Sequence, residues 1–248
     1  LARHLHRQAP VSAIGLGICE LVDPAGRIQS ANCIPWNGLD PAAELAGLAP
    51  AVIEADVRAA ALAEARLGAG QPFRSFLYVT IGTGISCCLM LDGQPYLGAR
   101  GAAGTMASSP LSLPCDTCGQ ITRRTLEQIA SGPALVERFR ASGGRAARAQ
   151  DVLAAGSESA RQIIDSAALA LASQIGLLIN TLDPQALILG GGLGLALADR
   201  LPPLIRQHIW SELHRDLPIL PAATGPDAGW MGAALKAAGP ASSPPVKA

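Results

Sequence analysis

From residue 160 to residue 182 apolar side chains recur at Ile163, Ile164, Ala167, Ala168, Leu171, Ile175, Leu178, Ile179 and Leu182. This spacing of three and four predicts one long helix, stopped by Asp183-Pro184. A fully apolar run, residues 186–189, follows and reads as a buried strand that enters Gly190, Gly191 and Gly192 and then a helix ending near Leu213. Upstream, residues 75–81 and 85–91 read as strands on either side of Gly82-Thr83-Gly84, the second turning at Asp92-Gly93. Residues 11–21 and 27–32, around Asp23-Pro24-Ala25-Gly26, read as a β-hairpin. Residues 50–53 form a short strand candidate, and Asp56 lies directly behind it at the mouth of a helix, residues 57–67, closed by Gly68. Strands alternating with helices, with glycines at strand ends, predict an α/β protein whose ligand lies at the carboxyl ends of the strands.

Composition narrows the class. The chain has 248 residues, 49% hydrophobic and 15% charged, with 19 basic and 19 acidic side chains. That length gives one to two domains with a sizeable core. The absence of excess positive charge argues against nucleic-acid binding through this chain. The six cysteines are scattered and do not form a dense disulfide framework, which points to a reducing, cytoplasmic setting. No signal peptide is evident in residues 1–10. The apolar stretch 167–182 is broken by Ser173, Gln174 and Asn180, too polar and short for a bilayer, so no membrane partner is expected. The Pro- and Ser-containing residues 239–248 are expected to be a disordered tail.

Four segments carry candidate chemistry in a fixed order. Val52-Ile53-Glu54-Ala55-Asp56 is followed by Tyr78-Val79-Thr80-Ile81-Gly82-Thr83-Gly84, then Leu126-Glu127-Gln128-Ile129-Ala130-Ser131-Gly132-Pro133, then Ile188-Leu189-Gly190-Gly191-Gly192. In this order the chain resembles the ROK family of bacterial glucokinases, N-acetylmannosamine kinases and sugar-responsive repressors. The resemblance runs from about Ile14 to Ala237 and ends in Asp227-Ala228-Gly229-Trp230-Met231-Gly232. It implies an actin/hexokinase-like (ribonuclease H-like) fold with two α/β lobes around a cleft. The small lobe would be residues 1–58, completed by 228–238, and the large lobe 59–227. The family's Asp-x-Gly-Gly-Thr strand pair, which grips phosphates, has no counterpart here, so the N-terminal strands of the small lobe are expected to be missing.

The resemblance also implies ATP with Mg²⁺ as cofactor and a sugar as partner, with a homodimer as the possible assembly. Asp56 matches the catalytic base, since a sugar hydroxyl must lose its proton as it attacks the γ-phosphorus. A helix-capping Asp is the competing structural role. Glu127 and Asn32 stand at sugar-contact positions. Gly82, Thr83 and Gly84 match the phosphate loop, with a plain tight turn as the alternative. Gly190, Gly191 and Gly192 match the adenosine-side loop, with close strand-to-helix packing as the alternative.

Several positions depart from the family pattern. Ala55 replaces an Asn before the base, Thr105 a Glu, and Ser108 a His, so only Asp56 and Glu127 keep the expected types. The family's zinc needs that His and three Cys. Here Cys115 and Cys118 stand one residue too far apart, with Thr125 at the third thiol position, so the Cys loop 115–118 is degenerate and zinc is not expected. Beyond the glycine turn, Ser86, Cys87 and Cys88 replace further glycines. Each unmade buried hydrogen bond costs roughly 1–3 kcal/mol, so three lost sugar ligands cost roughly 3–9 kcal/mol, or about two to six powers of ten in sugar affinity. Three readings stay open on this basis: a sugar kinase with reduced or altered activity, the sugar-binding effector domain of a ROK transcriptional regulator, and a decayed copy without ligand.

Overall fold

The computed structural model describes residues 11–36, 38–114, 118, 120–214 and 216–239. Two compact units emerge. The first comprises residues 1–72, 90–103 and 223–248, and the second residues 73–89 and 104–222.

In the first unit, β1 (Ile14–Ile18) pairs in parallel with β2 (Ala51–Ala55), in the register Ile14 with Ala51 through Ile18 with Ala55. Between them lies α1 (Pro41–Leu45), whose first turn is capped by the Asp40 carboxylate. The expected hairpin is corrected here. β1 takes β2 as its partner, and the chain around Asp23 makes a single antiparallel bridge, Val22 with Ile28, with no strand over 27–32. The Asp23 carboxylate accepts from the Ala25 and Arg27 amides, a side-chain-closed turn that replaces a longer ladder. Helix α2 (Asp56–Leu67) follows β2 without a loop and ends at Gly68, near the expected bounds. Its buried alanines, Ala59 to Ala61 and Ala63, let α10 (Ala228–Ala238) pack closely on it and on β1. The sequence-drawn boundary at residue 58 runs through α2, which belongs wholly to the first unit.

The second unit is built on β3 (Ser75–Ile81), β4 (Ile85–Leu91), β8 (Leu187–Gly190) and β9 (Ile219–Pro221), in the order β4-β3-β8-β9. The last two residues of β4, Met90 and Leu91, fall in the first unit, where they pair with β5 (Gln94–Pro95) through the turn Asp92-Gly93, whose residues both have positive φ (49° and 73°). β3 with β8 and β8 with β9 are parallel; β8 is wholly buried and β3 nearly so, whereas β9 is partly exposed. A separate two-stranded ribbon joins β6 (Pro110–Pro114) and β7 (Ile121–Thr125). Helices α3 (Leu126–Ala130), α4 (Gly132–Ala141) and α5 (Ala149–Ala154) lead into α6 (Glu158–Leu182), the long helix.

α6 starts two residues before the periodic stretch. Ser157 caps it by accepting from the Ala160 amide, and it ends with Asp183 in the left-handed region (φ 47°) ahead of Pro184. By length and composition α6 is long and apolar enough to cross a membrane, contrary to the reading of its C-terminal half as too short. Its stripe of Ile163, Ile164, Ala167, Leu171, Ile175 and Ile179 is buried in the core with Leu77, Val79, Leu187 and Leu189, as in the central helix of a packed unit. The single helix expected from Gly192 to near Leu213 is instead three short ones: α7 (Gly192–Ala196), α8 (Leu201–Ile205) and α9 (Ser211–His214). Pro202 and Pro203 confine α8 to a fresh start, because proline lacks the amide that a continuing helix needs. The expected tail lies outside the described residues except for Gly239, which follows α10.

Close backbone contact anchors α10. A Cβ on Gly232 would lie 1.6 Å from the Ala59 carbonyl oxygen, and one on Gly15 would lie 1.9 Å from that of Ala233. Gly232→Val is therefore expected to cost roughly 3 kcal/mol, read from urea unfolding. An unchanged midpoint would show that α10 does not need this approach.

Candidate active site

The register of β1 and β2 decides which residues meet at the carboxyl end of the first unit's strand pair. Ile18 and Ala55 are the last paired residues, so Cys19 and Asp56 leave neighbouring strands side by side. Asp56 is the first residue of α2 and its Oδ1 accepts from the Val57 amide at 2.6 Å. The N-cap of α2 is Ala55, with no side-chain cap hydrogen bond, so the capping role weighed for Asp56 is not made, and the residue remains exposed. Crowding by surrounding protein raises its carboxyl above the ordinary value of 3.8, against the Val57 hydrogen bond, which lowers it. A carboxylate with a raised pKa is a better proton acceptor.

Two buried polar groups, neither singled out from sequence, hold this end in place. Glu20 is only 5% exposed. Its Oε2 accepts from the Ser30 hydroxyl (2.5 Å) and the Asn32 amide (2.9 Å), and its Oε1 accepts from the Cys33 (2.8 Å) and Ile34 (2.9 Å) amides. Burial alone would raise its pKa. The Ser30 hydroxyl and the Ile34, Asn32 and Cys33 amides outweigh burial and hold it at about 2. This clamp carries Asn32, which is exposed, and brings Cys33 close enough to Asp56 for their charges to interact.

The second group is the Glu54–Arg58 pair, both side chains 4% exposed, at 2.6 Å. Arg58 also donates to the carbonyls of Val22 (2.7 Å) and Gly101 (3.3 Å), and Lys236 approaches the other Glu54 oxygen at 3.3 Å. These contacts fix the start of α2, where Asp56 sits. The available sequence signals were a Glu inside an apolar strand, an Arg inside an alanine-rich helix and a Glu after an apolar run; buried charges demand partners.

In the second unit the turn Gly82-Thr83-Gly84 is closed by a hydrogen bond from the Gly82 amide to the Gly84 carbonyl (2.9 Å). The Gly132 amide at the start of α4 donates to the Gly82 carbonyl at 2.8 Å. A Cβ on Gly84 would lie 2.6 Å from Glu127 Oε1. The structure therefore brings Glu127 against the glycine turn. Thr125 accepts from the Gln128 amide as the cap of α3, and the Gln128 side chain accepts from the Thr125 amide in return.

A cavity of about 650 Å³ is lined by Gly82, Thr83, Val136, Arg140, Arg148 and Gly192, among others. Gly190 and Gly191 do not line it. A Cβ on Gly190 would lie 2.3 Å from the Tyr78 hydroxyl, and one on Gly191, at φ 77°, would lie 2.4 Å from the Ile81 carbonyl. At both positions close packing against β3 leaves no room for a side chain.

Thr105 and Ser108 are exposed and bracket a single 3-10 turn in which the Ser108 amide donates to the Thr105 carbonyl (3.2 Å). Cys87 is buried and donates to the Gly104 carbonyl (3.4 Å), and burial pushes its thiol up to about 12. Cys88 is buried as well. Cys115 lies outside the described residues, and Cys118 is an exposed free thiol. The donor set does not fit zinc: hydroxyls occupy two of the four positions, and that of Thr125 is engaged in a helix cap. Among the described residues, Cys19, Glu20 and Cys33 form the one cluster of such side chains within metal-ligand range.

Because the folded Glu20 has a pKa of about 2 against an ordinary 4.5, its stabilising contribution is complete above pH 4.5 and is lost as pH falls towards 2. In urea unfolding across that range, Glu20→Gln is expected to be the less stable protein near neutrality, and its difference from the parent to shrink below pH 4.5. Parallel pH profiles for the two proteins would contradict the clamp.

The bifunctional enzyme NanE/NanK of Brucella melitensis is 34% identical over 194 residues, 77% of this chain and 36% of that protein, so the chain spans about a third of that relative. The ROK hexokinase of Thermus thermophilus superposes with a TM-score of 0.78 at 30% identity, covering 96% of this chain and 83% of its own. A ROK glucokinase from Streptomyces griseus, in complex with glucose and AMPPNP, gives 0.77 at 25% identity over 94% and 83%. The fold is that of the actin-like ROK hexokinases. With the ROK family profile matching residues 1–239, the chain belongs to the ROK family.

Proposed function

We propose that this protein is an ATP-dependent sugar kinase that phosphorylates a hydroxyl of a hexose or N-acyl hexosamine. Asp56 is the general base, and activity is altered by the changed sugar contacts. The observation that carries the reading is Asp56 itself: an exposed carboxylate with a raised pKa at the end of β2, beside a loop that Glu20 holds in place. Asp56 would take the proton of the attacking hydroxyl, and Asn32 would orient the sugar. The backbone of Gly82 to Gly84 would face the phosphates, with Arg140, Arg148 and Gly192 lining the nucleotide cavity. Magnesium would arrive on the nucleotide and neutralise its β- and γ-phosphate charge. The crystal structure of the Streptomyces griseus relative with glucose and a nucleotide analogue supports this choice of ligands. Ala55, Thr105 and Ser108 leave space where larger side chains contact sugar in the family, which favours an altered or weaker substrate preference.

The test is phosphoryl transfer from ATP to a panel of hexoses and N-acyl hexosamines. Asp56→Asn is expected to lower kcat by roughly 10²–10⁴ with little change in KM. Because Asp56 acts deprotonated and its pKa is raised, the acid limb of kcat/KM is expected above pH 3.8, with activity lost as pH falls through it. Equal turnover in the two proteins would remove Asp56 as base. Sugar binding with no turnover in the parent would favour the effector domain of a ROK regulator.

A further inference from the structure

Cys19 and Cys33 are both exposed free thiols, and their sulfurs and the Glu20 carboxylate all lie within 4.8 Å of one another. Fourteen positions apart in sequence, they meet because both backbones are anchored: Cys19 follows the last paired residue of β1, and the Cys33 amide donates to Glu20. The Glu20 oxygens already accept four hydrogen bonds, which leaves the carboxylate poorly placed to ligate a metal. What remains is a pair of accessible thiols that side-chain rotation can bring to bonding distance. Cys87 and Cys88 are buried, and Cys118, though exposed, joins no such cluster among the described residues, so Cys19 and Cys33 are the pair placed to cross-link.

We propose that Cys19 and Cys33 form a reversible disulfide site that reacts with low-molecular-weight disulfides and, when closed, ties the Asn32 loop to the end of β1 beside Asp56. The Cys19 thiolate attacks one sulfur of the small disulfide, forming a mixed disulfide and releasing one small thiolate. The Cys33 thiol then gives up its proton and attacks the Cys19 sulfur, breaking the mixed bond and releasing the second small thiol. Two protein thiols are oxidised and one small disulfide is reduced to two thiols. The order has a physical reason. Cys33 is pushed up to about 11, first by its hydrogen bond with the Cys19 thiol, then by burial and by the charges of Cys19, Glu20 and Asp56. Converting Cys19 to the mixed disulfide removes the first of these, so Cys33 becomes the better attacker when it is needed.

The closure itself is independent of the kinase reading; its effect on sugar rests on that reading. The full chain carrying Cys115→Ser and Cys118→Ser, which removes the other exposed thiol, is expected on incubation with oxidised glutathione to lose two of its four remaining thiols, to yield a Cys19–Cys33 peptide on non-reducing mass mapping, and to recover both thiols with dithiothreitol. Cys33→Ser added to that background is expected to stop at one glutathione per chain, on Cys19. Glutathione on both cysteines without an internal bond, or a disulfide mapped elsewhere, would overturn the proposal. Glucose and N-acetylmannosamine titrated into the oxidised and reduced chains are expected to bind at least about tenfold more weakly to the oxidised one. Equal affinities would overturn the effect on the sugar site, whereas absence of binding in both, with the cross-link present, would count against the kinase reading alone.

Discussion

The parallel pairing of β1 with β2 is the constraint on which the candidate site depends. A one-residue slip in that ladder would send each β1 side chain to the opposite face, and Cys19 would no longer leave its strand beside Asp56. The pairing is held from below by α10, whose backbone approaches β1 and α2 so closely that Gly15 and Gly232 have no room for a Cβ. From above, the Glu54–Arg58 pair joins the end of β2 to α2 and to the Val22 and Gly101 carbonyls. Glu20 then carries the loop with Asn32 over the same end. A buried carboxylate that accepts four hydrogen bonds costs less to keep charged than to leave unpaired, so the loop closes around it.

The second unit follows the same logic with different atoms. Glu127 and the turn Gly82-Thr83-Gly84 come together because Gly84 has no side chain where the Glu127 carboxylate lies, and because the start of α4 donates to the Gly82 carbonyl. The capping box at Thr125 and Gln128 fixes the first turn of α3 and with it the direction of Glu127.

Much of this was legible in the sequence, for identifiable reasons. The stripe on α6, the glycine turn and the Asp behind a short strand all obey local rules of periodicity and capping. The hairpin over 11–32 was not legible, because the partner of β1 lies more than thirty residues away and only tertiary pairing selects it. The break of the last helices reflects Pro202 and Pro203, which a count of apolar residues overlooks. Glu20 and Arg58 escaped notice because a charged residue announces its role only through the donors and acceptors that gather around it, and those come from the distant residues Ser30 to Ile34, Val22 and Gly101. Gly190 and Gly191 show the reverse case, a motif whose glycines also answer to close packing against β3.

The most direct measurement is a crystal structure of the chain grown with an N-acyl hexosamine. A sugar hydroxyl roughly 2.6–3.2 Å from the Asp56 carboxylate, with Asn32 in contact with the same ring and Glu20 still bound to the Asn32 and Cys33 amides, is the expected result. A sugar bound away from the carboxyl ends of β1 and β2, with the Asp56 carboxylate engaged solely by the Val57 amide, would contradict the assignment of this end as the site.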